Sequence, residues 1–312
     1  MASDQALAAC LRRFLDACAA GDEDDNAVEM LFQLRRHLLL HGAAADDRGV
    51  PVRGLVWMTL LAVPSVSAER YGSLIRLGPC KQYQKIRSDS FRTFPNEKSF
   101  QARVTENSLI RLLNSFVHEN AADGVFSYLQ GMNAVAAPFL YCMSELEAQA
   151  AFSRFIKVYC PTYWLANMAG ARAGCVLVDR CLQAADPDLF HHLRSRRLEA
   201  TVYAFALVSS ISCVLQPFSE VLKLWDFLLG FGVHNNIVAI VAQVVLVRDG
   251  LFSVGNPNEI LNYRKWPALN ARLTIAFTLD LIRRLEPALY RDIESHTYSK
   301  DVCDQILRPK ST

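Results

Sequence analysis

Two short stretches hold the side chains best suited to chemistry: Ile86-Arg87-Ser88-Asp89-Ser90-Phe91-Arg92 and Tyr128-Leu129-Gln130-Gly131-Met132-Asn133. Asp89 and Arg92 stand three apart, the spacing that lets them meet on one helical face, so the carboxylate can hold the guanidinium ready. Ile86 and Phe91 read as apolar anchors for that turn or short helix. In the second stretch Tyr128 is an anchor with a polar tip. Gly131 removes the side chain beside Gln130, so another molecule could approach that backbone closely and meet the glutamine.

An arginine and a glutamine held in this way suit phosphoryl transfer to water. That reaction needs positive charge on the transferring group and an oriented nucleophile, and an arginine supplied in trans is worth about 10³ to 10⁵ in rate. At about 1.36 kcal/mol per decade, this is roughly 4 to 7 kcal/mol. A glutamine amide both donates and accepts, so it can hold a water and contact a phosphate oxygen together. The chain has no phosphate-cradling glycine loop, which leaves the nucleotide to be brought by a partner. Taken singly, an Asp/Arg pair at this spacing is also what a solvated helix pair looks like, and Tyr-x-Gln-Gly what a turn looks like. Their combination carries the reading.

The segment IRSDSFRTFP followed downstream by YLQGMN resembles the paired finger motifs of TBC-domain GTPase-activating proteins, which act on Rab-like small GTPases. The resemblance implies an all-α, irregular multi-helix TBC-type domain, with Arg92 and Gln130 as the arginine and glutamine fingers that enter the GTPase site. Ile86, Asp89, Tyr128 and Gly131 would support them. It also implies a GTP-loaded Rab-like GTPase as partner, with GTP and magnesium belonging to that partner and no cofactor or metal held here. The chain would supply catalytic residues rather than own an independent catalytic site. A binding scaffold that does not stimulate hydrolysis is the alternative, and a general helical adaptor a third. RGLVW and PFSEVLKLWDFLL, with Leu224-Trp225-Asp226, are similar to further family motifs, although the tryptophan that often opens the helix before the latter is replaced by tyrosine or phenylalanine. The resemblance spans about Gly49 to Tyr290. YLQGMNAVAAPFLY and EVLKLWDFLL look most like the short branch restraining mitotic-exit or septation GTPases at spindle poles, which implies a cytoplasmic protein, a checkpoint scaffold subunit as a further partner, and a spindle pole, centrosome or basal body as recruitment site.

Elements that must position these residues follow from periodicity. Leu7, Cys10, Leu11, Phe14, Leu15 and Cys18 recur at helical spacing, as do Val28, Leu31, Leu34 and Leu38, giving an amino-terminal hairpin and linker over 1–48. Pro51 begins a helix carrying Trp57 as a core residue, and Pro64 closes it. Residues between Gly78 and Lys85 connect to the first finger, where a loop position would let Arg92 project. Leu109, Ile110, Leu112, Leu113, Phe116 and Val117 mark the next helix, and the polar His118 to Gly124 stretch delivers the second finger. Pro138 is read as a kink in the helix that follows, and Ser144 and Glu147 have capping-box spacing. Two helices divide at Asp186-Pro187, and others cover Ile237 to Val247 and Leu269 to Leu285, ending near Pro287. The domain is expected over 49–298, followed by a loosely held polar tail over 299–312. No repeat of fixed period is evident.

Composition sets the remaining bounds. The chain has 312 residues, 52% hydrophobic and 21% charged, with a formal charge of only +2, so no strong field for nucleic acid follows. The Leu193-Arg194-Ser195-Arg196-Arg197 cluster reads as a solvated helix end. Nine cysteines without a Cys-x-x-Cys pair read as reduced thiols used as small core residues, and the seven histidines show no zinc spacing. The longest apolar run, Ile237 to Val247, is too short to cross a bilayer, and the first twenty residues do not resemble a secretory signal, so neither membrane insertion nor export is expected.

Overall fold

The computed structural model describes residues 11, 25–43, 50–63, 66–122, 124–256, 258–262 and 265–308. Among these the chain is helical with no strand, so the all-α expectation holds. No helix among the described residues is long and apolar enough to cross a membrane. The chain divides into two compact units: Met1–Lys157 with Leu229–Phe231, and Val158–Leu228 with Gly232–Thr312.

Eight helices of the first unit are α1 (Asp25–His41), α2 (Val50–Leu60), α3 (Ala68–Arg76), α4 (Tyr83–Phe91), α5 (Lys98–Arg103), α6 (Glu106–Glu119), α7 (Met132–Cys142) and α8 (Glu145–Arg154). Their ends are written in the sequence. Thr105 caps α6 by accepting the Ser108 N–H at 3.1 Å, and Ser144 and Glu147 form the expected capping box at α8. On α6 the spacing of Leu109, Leu112, Leu113 and Phe116 puts all four in the core, and this helix packs against α4, α7 and α8. α7 is buried on nearly every side and runs on through Pro138, which explains its continuous apolar sequence. Edge-on aromatic contacts join Trp57 to Phe139 at 5.8 Å and Phe116 to Phe152 at 5.2 Å, so Trp57 is the core residue its sequence position suggests. α2 approaches α7 so closely that a Cβ on Gly54 would lie 2.3 Å from the Cys142 carbonyl oxygen. Only glycine fits there.

In the second unit a 3₁₀ turn at Pro161–Trp164 precedes α9 (Ala169–Ala185), α10 (Pro187–Ser195), α11 (Ala200–Tyr203), α12 (Phe205–Ser209) and α13 (Phe218–Phe231), whose last three residues are grouped with the first unit. Then come α14 (Asn236–Leu246), α15 (Arg248–Ser253), α16 (Asn258–Leu261), α17 (Ala271–Arg284), α18 (Pro287–Ser295) and α19 (Lys300–Leu307). α9 packs against α10, α14 and α19, and the indole of Trp225 donates to the Ile211 carbonyl at 2.9 Å. The described cysteines are free thiols and mostly buried; burial pushes Cys160, Cys175 and Cys181 up to about 12, as inert core residues should behave.

α1 carries the second half of the expected hairpin, with Leu34 and Leu38 buried, and falls within the first compact unit. The first helix of the expected hairpin lies outside the described residues apart from Leu11, as do residues 44–49 and Pro64. α17 ends at Arg284, just before Pro287 as expected, and Pro287 occupies the first turn of a further helix. One expectation changes: within 299–312, expected as a loosely held polar tail, Lys300–Leu307 is a helix held to α9. Ser299 caps α19 by accepting the Val302 N–H, while Cys303 and Ile306, three apart, are buried. Two inward positions sufficed to anchor a stretch whose other residues are mostly polar.

Candidate functional site

α4 ends at Phe91, and Arg92 is its carboxy-terminal cap, with its backbone N–H donating to the Asp89 carbonyl at 3.1 Å. The first motif is therefore the short helix its spacing allows, and Arg92 projects because the helix stops there. Ile86, Asp89 and Ser90 face inward. Phe91, expected as an anchor, is instead 74% exposed. The reason is geometric: it stands five residues after Ile86, about 140° around a helix that turns about 100° per residue. Ile86 alone anchors.

The second motif is an extended run that turns into α7. Gly131 precedes that helix with φ of 101°, a left-handed conformation glycine adopts without strain, and a Cβ there would meet nothing within 4 Å. Its need within this chain is thus the turn itself. The turn leaves Gln130 exposed at the amino end of α7, while Tyr128 and Met132 on either side are buried.

One carboxylate joins the two motifs. Asp89, buried, takes the Arg92 guanidinium on Oδ1 at 2.7 Å and the Tyr128 hydroxyl on Oδ2 at 2.8 Å. Burial first, and the Asp89 hydrogen bond second, push the Tyr128 hydroxyl well above the usual phenol range, so it stays a proton donor at every physiological pH. A second tie runs through the backbone. Asn133 Nδ2 donates to Thr93 Oγ1 at 2.9 Å and to the Asp89 carbonyl at 3.3 Å, and Thr93 Oγ1 donates to that carbonyl at 3.0 Å. Gln82 Nε2 also reaches Ser127 Oγ at 2.9 Å, and the Lys85 ammonium lies 5.9 Å from the Tyr128 ring centroid. Asn133, Thr93, Gln82 and Ser127 were not singled out by sequence reasoning. Their type and place inside the motifs gave a weak hint for Asn133 and Thr93; the Gln82–Ser127 bond had no local signal.

Rigid support and a loosely held tip follow from these distances. The Arg92 side chain is 65% exposed, and its Nε donates only to the Ser88 carbonyl at 3.2 Å. Only the Arg92 end of this pair is exposed, so the guanidinium can swing toward a stronger anion, and the buried Asp89 carboxylate then keeps the Tyr128 hydroxyl as its donor. Asp89 itself is retained by Tyr128. The arrangement offers a cation and a neutral amide to a visiting group, and among the described residues there is no group of three or more His, Cys, Asp or Glu able to hold a metal. Elsewhere the basic cluster after Leu193 is a helix end as expected: Arg194 pairs with Glu199 at 2.9 Å and Asp179 at 3.6 Å, and Arg196 bonds the Gly255 carbonyl.

Comparison with known proteins agrees with the motifs. Residues 51–251 match the Rab-GTPase-TBC domain family. Cell division control protein 16 of Schizosaccharomyces pombe is 37% identical over 279 residues, covering 89% of this chain and 91% of the relative. A putative mitotic check point protein BUB2 of Dictyostelium discoideum is 33% identical over 298 residues, 91% of this chain and 80% of the relative. The solved Chlamydomonas flagellar RabGAP TBC domain superposes with a TM-score of 0.65 at 19% identity, over 90% of this chain and 94% of that one, which speaks for the fold. With its two finger-like motifs tied through Asp89 and most of its length aligned to such relatives, the chain belongs to the RabGAP-TBC family.

Proposed function

We propose that this protein stimulates GTP hydrolysis by a Rab-like small GTPase in its GTP form, through Arg92 and Gln130 supplied in trans. The observation that supports this reading best is the Asp89 carboxylate shared by both motifs, because it couples the base of an exposed arginine to the segment that presents an exposed glutamine. On docking, the Arg92 guanidinium leaves Asp89 and donates to the oxygens between the β and γ phosphates, where negative charge builds as the γ-phosphoryl separates. The Gln130 carbonyl accepts a hydrogen bond from the attacking water while its NH₂ donates to a phosphate oxygen. Water oxygen bonds to phosphorus, the bridging P–O bond breaks with its electron pair going to the GDP oxygen, the water's proton passes to the released phosphate, and GDP and phosphate remain on the GTPase. GTP and magnesium come with the partner. By likeness to the relatives named for cell division and the mitotic check point, the partner is a GTPase of mitotic exit or septation, met with a checkpoint subunit at a spindle pole, centrosome or basal body.

Single-turnover hydrolysis by a panel of GTP-loaded Rab-like GTPases tests the proposal with wild type, Arg92→Ala and Gln130→Ala. Arg92→Ala should lose about 10³-fold or more of the stimulated rate. Gln130→Ala should lose about 10²- to 10³-fold, the scale of one oriented donor. Gln130→Ala should keep wild-type melting, since that side chain is exposed, and Arg92→Ala, which takes the cation from buried Asp89, should melt somewhat lower but stay folded. Equal rates for all three proteins, with binding intact, would leave a scaffold in place of an activator.

A further inference from the structure

α7 is written in apolar and aromatic residues, Met-Asn-Ala-Val-Ala-Ala-Pro-Phe-Leu-Tyr-Cys, with one amide, Asn133, in its first turn. An amide set among such residues is unfavourable unless its hydrogen bonds are met. They are met across the site. Nδ2 carries two hydrogens, and two acceptors of the first motif and its continuation stand before it, the Asp89 carbonyl at 3.3 Å and Thr93 Oγ1 at 2.9 Å. Chemistry also fixes which way the amide points. The Thr93 hydroxyl gives its own hydrogen to the Asp89 carbonyl at 3.0 Å, so both atoms facing Asn133 accept, and only the NH₂ end satisfies them.

Asp89 lies three residues before Arg92 and Thr93 one after it, so this amide holds the chain on both sides of the arginine. Thr93 is buried, and its N–H donates to the Ser90 carbonyl at 3.1 Å, continuing the turn that ends α4. On its own side Asn133 stands three residues after Gln130, in the turn that Gly131 opens; there the Ala134 and Val135 N–H groups donate to the Gly131 carbonyl at 3.1 and 3.3 Å. The path from Arg92 to Gln130 through this amide is therefore a few residues long at each end. The Asp89 carboxylate ties the motifs differently, because it holds the guanidinium that swings away when a triphosphate arrives. Asn133 engages nothing that leaves. Its bonds stay whole while Arg92 moves.

We infer that Asn133 is a positioning residue that sets the spacing of Arg92 and Gln130, so that both side chains reach one triphosphate together. The inference rests on the function proposed above and adds a requirement to it: the two exposed tips act as a pair only while this amide clamps their bases. Misplacing a reacting group by about 1 Å lowers a rate by about 10²-fold, so a clamp of this kind acts on turnover and leaves affinity alone.

Asn133→Asp keeps the shape of the side chain and sets an acceptor against two acceptors. In single-turnover hydrolysis by a panel of GTP-loaded Rab-like GTPases, its stimulated rate at saturation should fall by about 10-fold to 10²-fold, with half-saturation within about twofold of wild type. The same substitution is then made in Gln130→Ala. With one tip gone there is no pair to space, so Asn133→Asp should lower that rate by no more than about threefold, while melting falls equally in both backgrounds. Asn114→Asp is the structural counterpart: that buried amide accepts the Cys80 N–H at 2.8 Å and donates to the Gly78 carbonyl, outside both motifs. Any loss of rate it causes should be the same factor in both backgrounds. Equal factors for Asn133→Asp in the two backgrounds, or a wild-type rate, overturn the inference. Should Asn133→Asp fail to fold, Thr93→Val, which keeps the buried shape and removes the hydroxyl that Asn133 meets, carries the same comparison. Amide hydrogen exchange gives a readout that needs no GTPase. Exchange over 91–94 and over 127–131 should rise together by about tenfold in Asn133→Asp, with α9 unchanged, and wild-type exchange in both segments overturns the inference. A joint rise without any stimulated hydrolysis by wild type upholds the clamp and defeats only the activator reading.

Discussion

Two polar networks tie together segments far apart in the chain, one in each compact unit, and they end differently. In the first unit Asp89 links Tyr128 to Arg92, and the last member is mostly in solvent. In the second, Tyr163 O–H lies 2.8 Å from His296 Nε2, His296 Nδ1 donates to the Ile293 carbonyl, and Thr162 Oγ1 donates to the His296 and Thr297 carbonyls at 2.6 and 2.8 Å. Cys303 Sγ approaches the same His296 carbonyl at 3.1 Å, and every one of these residues is buried. Similar bonds therefore serve opposite ends. A sealed network has no group to give to a partner and contributes to holding α18 and α19 to the 3₁₀ turn; an open one keeps a guanidinium poised at the surface.

The largest effect expected from breaking the sealed network is on stability. His296→Ala removes a fully buried ring and leaves the Tyr163 hydroxyl without its partner, which together should cost about 3 kcal/mol in denaturant unfolding. A loss below about 1 kcal/mol would mean that the site can rehydrate and that the contrast is overstated. The pH dependence sharpens the same point. Burial pulls His296 down from 6.5 to about 4, so between those values the unfolded chain binds more protons than the folded one. Stability due to this histidine is fully present above pH 6.5 and is lost as pH falls toward 4, by at most about 3 kcal/mol. Asp179, raised by burial from 3.8 to about 6, acts in the opposite sense over much of that window. The difference between wild type and His296→Gln, measured from pH 7 to pH 4, isolates the histidine. A flat difference would contradict its neutral burial.

The two networks also differ in how much of each is written locally. Arg92, Asp89, Tyr128 and Gln130 stand out in the sequence because the motifs fix residue types at helical and turn spacings, and the structure pairs Asp89 with Arg92 as their spacing suggested, whereas the Tyr128 bond to Asp89 had no such signal. What the motifs hid is tertiary. Asn133 meets Thr93 across forty positions, and nothing in either neighbourhood specifies that pairing. Phe91 misled because aromatic character suggests burial, although its angle from Ile86 pointed outward. In the second unit His296 and Tyr163 lie 133 positions apart and gave no signal at all. The carboxy-terminal helix was obscured for a different reason: its buried positions are few, and polar residues outnumber them. Helix existence followed from periodicity almost everywhere else, since a 3.6-residue apolar stripe is a local property and a hydrogen bond between distant side chains is not.

The smallest expected effect bears most directly on why the open network is built as it is. Tyr128→Phe removes one hydroxyl and keeps the buried ring, so the packing around it has little reason to change. Asp89 Oδ2 then loses its 2.8 Å donor in a buried site, and the expected cost is about 1 to 2 kcal/mol of stability. If the Tyr128 bond merely fills space, hydrolysis by the folded variant should equal wild type. If it holds Asp89, and through it the base of Arg92, the carboxylate turns toward its remaining partner and grips the guanidinium more firmly. The stimulated rate should then fall by roughly tenfold, far less than for Arg92→Ala, because the arginine is still present but leaves less readily. Single-turnover rates at saturating protein separate these outcomes from a change in binding. A variant that loses stability without losing rate would make Tyr128 a structural residue only, and would erase the distinction between the open network and the sealed one.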